Sequence, residues 1–318
     1  MSVVFTCPGK MGDALHQLPV VYHWAKASGE RAEMWLDKKT CAPLVPLYKA
    51  QPWVVKVELL DGVESYNCGG QPFHMNLPTS AFEGHTIYHL GLRSFPVRQL
   101  TLECLKVSKV PVEVDPDTLA SEVCLVTLPK DCVDIQIDPI YGPTSKLGID
   151  VKDLYARPGR VITVDGPRRL ILHGQAVYAH TNNSPSFWKF IAGVRAELES
   201  LFDEIVFVGS ERDLEVGART YPDWKTFDDG GDFLKLASFI AASKAMIGCG
   251  SAPIVLAGLL KVPAIRVHDP IGDNAPKVIW SNMAHNNINC RETELRRTWP
   301  HFRNNHLAEG VAVESTGV

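Results

Sequence analysis

An aspartate and a histidine stand near the start of the first predicted helix, and both are side chains that can move a proton. Residues 9–19 read Gly-Lys-Met-Gly-Asp-Ala-Leu-His-Gln-Leu-Pro. Asp13 lies at the mouth of the helix, where a carboxylate stays ionised at neutral pH, as a general base must. His16 follows one helical turn later, on nearly the same face. Asp13 is therefore either a base or a helix N-cap, and His16 either orients a polar group or packs in the core.

The elements around Asp13 are typical of the ligand-binding edge of a parallel sheet. The apolar run Val3-Val4-Phe5 predicts a buried first strand, after which two glycines and a proline turn the chain. Apolar residues then recur at helical spacing, at Leu15, Leu18, Tyr22 and Ala25. Gly29 predicts the end of this helix. A strand, a glycine turn and a helix in this order present the carboxyl edge of a doubly wound sheet to a ligand.

A second candidate site consists of small residues between a predicted strand, 245–248, and a predicted helix, 254–260. The segment reads Gly248-Cys249-Gly250-Ser251-Ala252. Small side chains let the backbone approach a ligand closely, and the helix N-terminus offers unpaired N–H groups to an anion. A diphosphate suits this geometry. The alternative is a tight turn whose small residues are needed for packing alone.

Strand and helix signals alternate in two separate parts of the chain. The first part has predicted strands at 3–5, 32–36, 53–60 and 86–90, and helices at 41–48 and 96–106. The second part resumes at residue 176, with strands at 176–180, 204–208, 245–248 and 262–267. Residues 108–175 carry instead short strand signals at 122–128, 133–137, 160–164 and 169–173. We therefore predict an α/β fold with two Rossmann-like parallel-sheet domains that face a cleft, joined by a β-rich insertion and linker.

Composition limits the classes of protein that the chain can form. Its 318 residues suggest two domains, and the net charge of −4 gives no bulk attraction to nucleic acid or to an anionic membrane. No apolar run approaches the ~20 residues of a membrane span, and no secretory signal precedes the first strand. The 8 cysteines form no C-x-x-C pair, which disfavours zinc and fits a reducing cytoplasm. Arg168 and Arg169 either cover a solvated turn or bind phosphate.

The motif Met-Gly-Asp-x-Leu-His-x-Leu-Pro resembles the opening motif of the bacterial ADP-heptose:lipopolysaccharide heptosyltransferases. Those enzymes are inverting glycosyltransferases of the two-domain GT-B architecture. The matching residues are Met11, Gly12, Asp13, Leu15, His16, Leu18 and Pro19. The resemblance implies that Asp13 is the general base, assisted by His16, and that Lys10, Met11 and Gly12 lie on the acceptor side.

The small-residue segment resembles the donor-binding segment of the same family, whose pattern is Asp-Ser-Gly-Pro-x-His-Leu-Ala. Ser251, Pro253, Leu256 and Ala257 match this pattern. The departures are Gly250 for the aspartate, Ala252 for the glycine and Val255 for the histidine. Because the aspartate that holds sugar hydroxyls is absent, the transferred sugar is expected to differ from heptose. Gly250, Ser251 and Ala252 remain the predicted donor-binding residues.

A second donor loop is also implied by the resemblance. Thr181 and Trp188 match a threonine and a tryptophan of the family, while Lys189 stands close to the position of its lysine. Glu211 resembles the acidic residue that contacts the donor ribose, although an acid in the first turn of a helix is also favoured by the helix dipole. Thr181, Asn182, Lys189 and Glu211 are therefore expected to bind the donor.

These observations predict an inverting glycosyltransferase that takes a nucleoside-diphosphate sugar, has Asp13 as its base and needs neither a metal nor a cofactor. The predicted units are residues 1–165, residues 166–285 and a tail, 286–318, that packs back on the first domain. Three alternatives stay open. They are a nucleotide-sugar epimerase, a virus-type glycosyltransferase acting on a modified DNA base, and a degenerate protein that only binds a nucleotide sugar. Nucleic acid is not the favoured acceptor, because no continuous basic stripe is present.

Overall fold

The fold was established from a computed structural model. It describes residues 2–7, 11–60, 85–89, 124–126, 135–137, 167–174, 185–260, 262–267, 287–290, 299–300 and 302–307. Within these ranges the chain forms two separate parallel sheets and one short antiparallel pair. No helix in the described ranges is long and apolar enough to cross a membrane.

The first parallel sheet is built from four described strands in the order β3-β2-β1-β4. These strands are β1 (Ser2–Cys7), β2 (Ala32–Asp37), β3 (Val54–Leu60) and β4 (His85–His89). The long helix α1 (Met11–Ser28) connects β1 to β2 and ends at Gly29, whose φ of 72° and N–H bond to the Ala25 carbonyl terminate the helix. The predicted strands and the end of α1 are thus confirmed.

Prolines divide the helical connection between β2 and β3. The chain forms α2 (Lys38–Cys41), a 3₁₀ turn (Ala42–Leu44) and α3 (Val45–Lys49) instead of the single short helix expected over residues 41–48. Proline lacks a backbone N–H and cannot continue a helical ladder from the preceding turn. Pro43 and Pro46 therefore each fall at the start of a new turn, where no N–H is required.

The second sheet contains six described strands, all parallel, in the order β12-β11-β10-β7-β8-β9. The short strands β5 (Cys124–Val126) and β6 (Ile135–Ile137) form the antiparallel pair that precedes it. Its own strands are β7 (Arg169–His173), β8 (Glu204–Val208), β9 (Lys225–Phe227), β10 (Ala245–Cys249), β11 (Ala264–Val267) and β12 (Asn287–Cys290). The helices are α4 (Pro185–Leu201), α5 (Glu211–Thr220), α6 (Phe233–Ala241) and α7 (Ala252–Leu259).

The strand predicted over residues 169–173 is confirmed, but it belongs to the second sheet and not to the β-rich region 108–175 with which we grouped it. This segment is β7, the strand between β8 and β10 in the second sheet. Its apolar core residues Leu170, Ile171 and Leu172 are fully buried, because a strand of a parallel sheet is covered on both faces. The strand predicted over residues 176–180 lies outside the described residues, as do the predicted helix 96–106 and strand 160–164. The sequence analysis also missed β9.

The C-terminal segment packs on the second half of the molecule, whereas we predicted that it returns to the first domain. Trp299 and Phe302 are buried in a cluster with Phe190 of α4. Glu197, also on α4, accepts hydrogen bonds from Trp299 Nε1 at 3.1 Å and from Arg303 Nη1 at 2.8 Å. These apolar and charged contacts hold the described part of the tail against α4.

One hydrophobic cluster joins the two sheets. It contains Phe5 and Met34 of the first sheet, Ile171 and Met246 of the second, and residues of α1, α3, α6 and α7. A second cluster lies on the other face of the second sheet, under α4. The sheets are separate, but their helices share a core, so the predicted domain boundaries stay a prediction.

Candidate functional site

The strand order of the second sheet places a crevice between β7 and β10. Strands β8 and β9 come after β7 in the chain and lie on the β7 side of this crevice. Strands β10, β11 and β12 lie on its other side. Connections leave β7 and β10 in opposite directions, so a gap opens at their carboxyl ends, where doubly wound sheets bind ligands. His173 and Gly174 stand at one side of this gap, and Gly250 and Ser251 stand at the other.

Helix α7 begins at this crevice with an unusual N-cap. Ser251 has extended backbone angles, φ −153° and ψ 177°, but its side chain caps no N–H of the helix. Its Oγ is buried and has no hydrogen-bond partner in the described ranges. The N–H groups of Ala252 and Ile254 have no acceptor within the helix, because they belong to its first turn. This end of α7 therefore offers backbone donors, a positive dipole end and a free hydroxyl to an anion.

The first sheet repeats this arrangement at the gap between β1 and β4. The chain leaves β1 at Cys7 and enters α1 at Met11, so Asp13 is the third residue of the helix and not its N-cap. The Tyr48 hydroxyl of α3 donates a hydrogen bond to the Ala14 carbonyl at 2.9 Å and so ties α3 to the first turn of α1. His16 lies one turn further along the backbone of α1. The side chains of Asp13 and His16 fall outside the described part of the structure.

The two helix starts lie side by side. A methyl group added at Gly12 would lie 3.7 Å from both the N and the Cα atom of Ala252, which is ordinary van der Waals contact. Only one methyl group would therefore fit between the backbones of α1 and α7 at this point. The structure brings the two sequence-predicted motifs together, with Met11 and Gly12 on one side and Gly250, Ser251 and Ala252 on the other.

Lys189 and Glu211 belong to the helices that follow β7 and β8. Lys189 is exposed in the second turn of α4, and Glu211 is exposed as the first residue of α5. Ser210 and Asp213 cap α5 reciprocally, with Ser210 N–H donating to the Asp213 carboxylate at 2.7 Å. The cap fixes where Glu211 stands at the carboxyl end of β8. Lys10, Thr181 and Asn182 lie outside the described residues, so their assignment to the site stays a prediction.

His173 is a residue at this edge that the sequence analysis missed. Its side chain is buried, and Nδ1 lies 3.0 Å from the carbonyl oxygen of Val208. A carbonyl only accepts, so Nδ1 carries the proton. Nε2 is buried and has no hydrogen-bond partner among the described residues. The available signal was a polar residue directly after an apolar run, Leu170-Ile171-Leu172.

The arginine pair near β7 lies at the opposite edge of the sheet. Arg168 pairs with Asp203 at 3.0 Å, and Arg169 with Glu204 at 2.8 Å. The hydrogen bond from Arg168 lowers the pKa of Asp203, and hydrogen bonds from Lys225 and then Arg169 lower the pKa of Glu204. Both arginines therefore link the amino ends of β7 and β8 and stand away from the crevice.

No protein-family model matches the sequence, and no curated protein matches it either. Solved structures do resemble the fold. The ADP-heptose lipopolysaccharide heptosyltransferase II of E. coli matches with a TM-score of 0.53 and 12% identity, over 96% of this chain and 99% of that one. A family 9 glycosyl transferase from Veillonella parvula matches with a TM-score of 0.55 and 14% identity, over 97% of this chain and 90% of that one. E. coli heptosyltransferase WaaC with ADP matches with a TM-score of 0.53 and 12% identity, over 95% of this chain and 100% of that one.

The protein therefore has an α/β fold of the heptosyltransferase type, as the resemblance of the motifs implied. The similarity extends over almost the whole chain, although identity is low. At this distance the comparison establishes the fold, and the activity has to be argued from the site.

Proposed function

We propose that the protein is an inverting glycosyltransferase that moves a sugar from a nucleoside-diphosphate sugar to an acceptor hydroxyl. One observation carries the proposal. Gly12 approaches Ala252 closely, so a helix start with a carboxylate-bearing residue lies beside a helix start that offers N–H groups. A base and an anion site side by side are what a displacement at a sugar phosphate requires.

In this proposal Asp13 is the general base. Its carboxylate takes the proton of the acceptor hydroxyl while the acceptor oxygen forms a bond to the anomeric carbon. The bond from that carbon to the diphosphate oxygen breaks, and its electron pair leaves with the diphosphate. Attack from the face opposite the leaving group inverts the anomeric centre. Because Asp13 is the third residue of α1, the dipole of the helix stabilises its ionised form.

The start of α7 receives the diphosphate in this scheme. The N–H groups of Ala252 and Ile254, together with Ser251 Oγ, stabilise the charge that develops on the leaving group. Fixed dipoles of this kind need no reorganisation during the reaction, which is why they are effective in catalysis. Such a site requires no metal to stabilise the leaving group. Lys189 and Glu211 complete the proposed donor site, with Glu211 on the ribose.

The donor class can be tested by thermal unfolding in the presence of ADP, GDP, UDP and CDP, each with its glucose or mannose conjugate. One nucleotide should raise the melting temperature in proportion to the logarithm of its concentration, since ~100-fold excess over Kd adds about 2.7 kcal/mol to the unfolding free energy. Incubation of that sugar nucleotide with candidate hydroxyl acceptors should then release the free diphosphate.

Two substitutions at Ser251 test whether the diphosphate binds at the start of α7. Aspartate and asparagine are both good N-caps, so Ser251→Asp and Ser251→Asn should fold alike. The carboxylate should repel a diphosphate and abolish the thermal shift, whereas the neutral amide should retain most of it. Equal shifts in the two variants would place the nucleotide elsewhere, and no shift of the parent with any nucleotide would refute the proposed function.

A further inference from the structure

A buried histidine nitrogen without a partner lies at the crevice between β7 and β10. His173 is the last residue of β7 and is 3% exposed, yet its Nε2 makes no hydrogen bond within the part of the chain that the structure describes. Burying a polar atom without a partner is costly, so most such atoms in folded proteins are paired. The unpaired Nε2 therefore needs an explanation.

The hydrogen bond of the other ring nitrogen fixes both the chemistry and the direction of Nε2. Because Nδ1 donates its proton to the Val208 carbonyl at 3.0 Å, Nε2 of the neutral ring is an acceptor. The two ring nitrogens point to opposite sides of the imidazole. Nε2 is therefore directed away from the backbone of β8.

The neighbouring strand leaves room for this ring. Gly248 of β10 is paired in register with His173, and a methyl group added at Gly248 would lie 3.3 Å from both the Cβ atom and the carbonyl oxygen of His173. That approach is tighter than ordinary side-chain packing allows. The absence of a side chain at Gly248 thus lets the histidine occupy the carboxyl end of the sheet.

A second orphan atom stands at the same crevice. Ser251 Oγ, three residues after Gly248, is also buried, and no residue that the structure describes forms a hydrogen bond with it. The strand ends that carry the two atoms are tied together, because Cys249 Sγ lies 3.3 Å from the Gly174 carbonyl, to which it donates. Two unpartnered polar atoms on adjacent strand ends indicate a ligand that supplies the missing partners.

We propose that His173 is a donor-site residue whose Nε2 accepts a hydrogen bond from a hydroxyl of the nucleoside-diphosphate sugar. The inference rests on the proposed function, since it assigns a contact within the same site. The hydroxyl belongs either to the ribose or to the transferred sugar. In both cases the contact holds the sugar-bearing part of the donor against the carboxyl end of β7.

Asparagine and glutamine separate the two roles of the ring. His173→Asn can keep a donor near the position of Nδ1 and its bond to Val208, but it has no acceptor at the position of Nε2. His173→Gln extends far enough to place an amide oxygen near that position. The nucleotide that most stabilises the parent among ADP, GDP, UDP and CDP, and its sugar conjugate, are titrated calorimetrically into parent and variants.

A matched control is available in the first half of the chain. Gln51 is 1% exposed and also has an unpartnered acceptor, Oε1, but it precedes β3 at the amino edge of the first sheet. If orphan acceptors were only packing imperfections, Gln51→Leu and His173→Asn would affect binding alike. We expect Gln51→Leu to leave the affinity for the nucleotide unchanged.

The expected result is an affinity about 5- to 30-fold lower for His173→Asn, with His173→Gln close to the parent. A loss seen with both the diphosphate and its sugar conjugate assigns the contact to the ribose, and a loss seen only with the conjugate assigns it to the sugar. An unchanged affinity of His173→Asn, or an equal loss in both variants, would overturn the inference while leaving the proposed function intact.

Ligand analogues keep the question open to test even if His173→Asn fails to fold. On the parent protein, 2′-deoxy and 3′-deoxy nucleotides and a series of deoxy-sugar conjugates remove one hydroxyl at a time. One of them should bind about 5- to 30-fold more weakly than its hydroxylated form, both in the parent and in His173→Gln, whose amide oxygen replaces Nε2 as the acceptor. If every deoxy analogue binds the parent as tightly as the complete nucleotide sugar, the inference is refuted. If no nucleotide binds the parent at all, the proposed function fails together with it.

Discussion

The two sheets contribute different groups to the contact between Gly12 and Ala252. The first sheet presents a helix start with a carboxylate-bearing residue, Asp13, whereas the start of α7 is uncharged and reads Ser-Ala-Pro. A base has to carry charge to accept a proton, but a diphosphate can be bound by N–H groups and a helix dipole alone. Under the proposed function, substitutions at the start of α1 should affect turnover, and substitutions at the start of α7 should affect the affinity for the donor.

The largest effect is expected for Asp13→Asn. The amide cannot accept a proton, so the rate at saturating donor and acceptor should fall by about 10²–10⁴-fold, while nucleotide affinity stays near that of the parent. Loss of an acid from the first turn of α1 should lower stability by only about 0.3–1 kcal/mol. Initial rates, nucleotide titration and thermal unfolding measure the three quantities.

Asp37→Asn is the matched structural control for this substitution. Asp37 is the last residue of β2, the strand beside β1, and its two carboxylate oxygens accept hydrogen bonds from the N–H groups of Lys39 and Thr40 at the start of α2. An amide has only one accepting oxygen, so the substitution should lower the melting temperature and leave the rate of the folded protein unchanged. A near-parental rate for Asp13→Asn would show that the base lies elsewhere.

A smaller effect, with the opposite signature, is expected at the start of α7. Ser251→Ala removes a buried hydroxyl that has no hydrogen-bond partner among the described residues, so stability should stay the same or rise. Nucleotide affinity should fall about fivefold, the value of one neutral hydrogen bond. Turnover at saturating donor should change far less than in Asp13→Asn.

Ser243 provides the matched control, because it stands before β10 while Ser251 follows it. Ser243 donates a hydrogen bond to the Phe239 carbonyl at 2.7 Å. Ser243→Ala should therefore lower stability by about 1 kcal/mol without changing nucleotide affinity. If Ser251→Ala instead lowered stability and left nucleotide affinity unchanged, the start of α7 would have only a structural role, like Ser243.

The smallest effect is expected at the amino edge of the second sheet. Hydrogen bonds from Lys225 and Arg169 lower the pKa of Glu204, so its pairing stabilises the protein above the ordinary glutamate pKa and is lost as pH falls through the lowered value. Glu204→Gln should cost about 1 kcal/mol or less at pH 7. Urea unfolding from pH 7 to pH 3 should show this difference shrinking below about pH 4.5, the unshifted value. Nucleotide affinity at pH 7 should not change, and a clear loss would mean that the donor site reaches this edge.

The sequence was sufficient for elements that depend on local pattern. Alternating strand and helix signals predicted β1 to β4, and Gly29 predicted the end of α1. The small residues before α7 predicted the turn from β10 into a helix, and that turn is present, whereas the predicted approach to a ligand stays a prediction. These features follow from hydrophobic periodicity and backbone geometry within a few residues, so a single sequence reveals them.

Tertiary structure alone decided which elements are neighbours. The apolar run at residues 169–173 has the same local pattern in a linker as in a sheet, and only pairing with β8 and β10 identifies it as β7. The tail carries aromatic residues that fit either half, and the bonds of Trp299 and Arg303 to Glu197 assign it to α4. Pairing and packing join residues far apart in the chain, and no periodicity within one segment encodes them.

The same reason explains why Asp13 was found from the sequence and His173 was not. Asp13 belongs to a motif in which all the informative residues are adjacent, so its place at a helix start is encoded locally. His173 ends an apolar strand, but the state of its Nε2 depends on the Val208 carbonyl of another strand and on the missing side chain of Gly248. Sequence determined which residue types stand at the strand ends, and the assembled sheet determined which of their polar atoms remain without a partner.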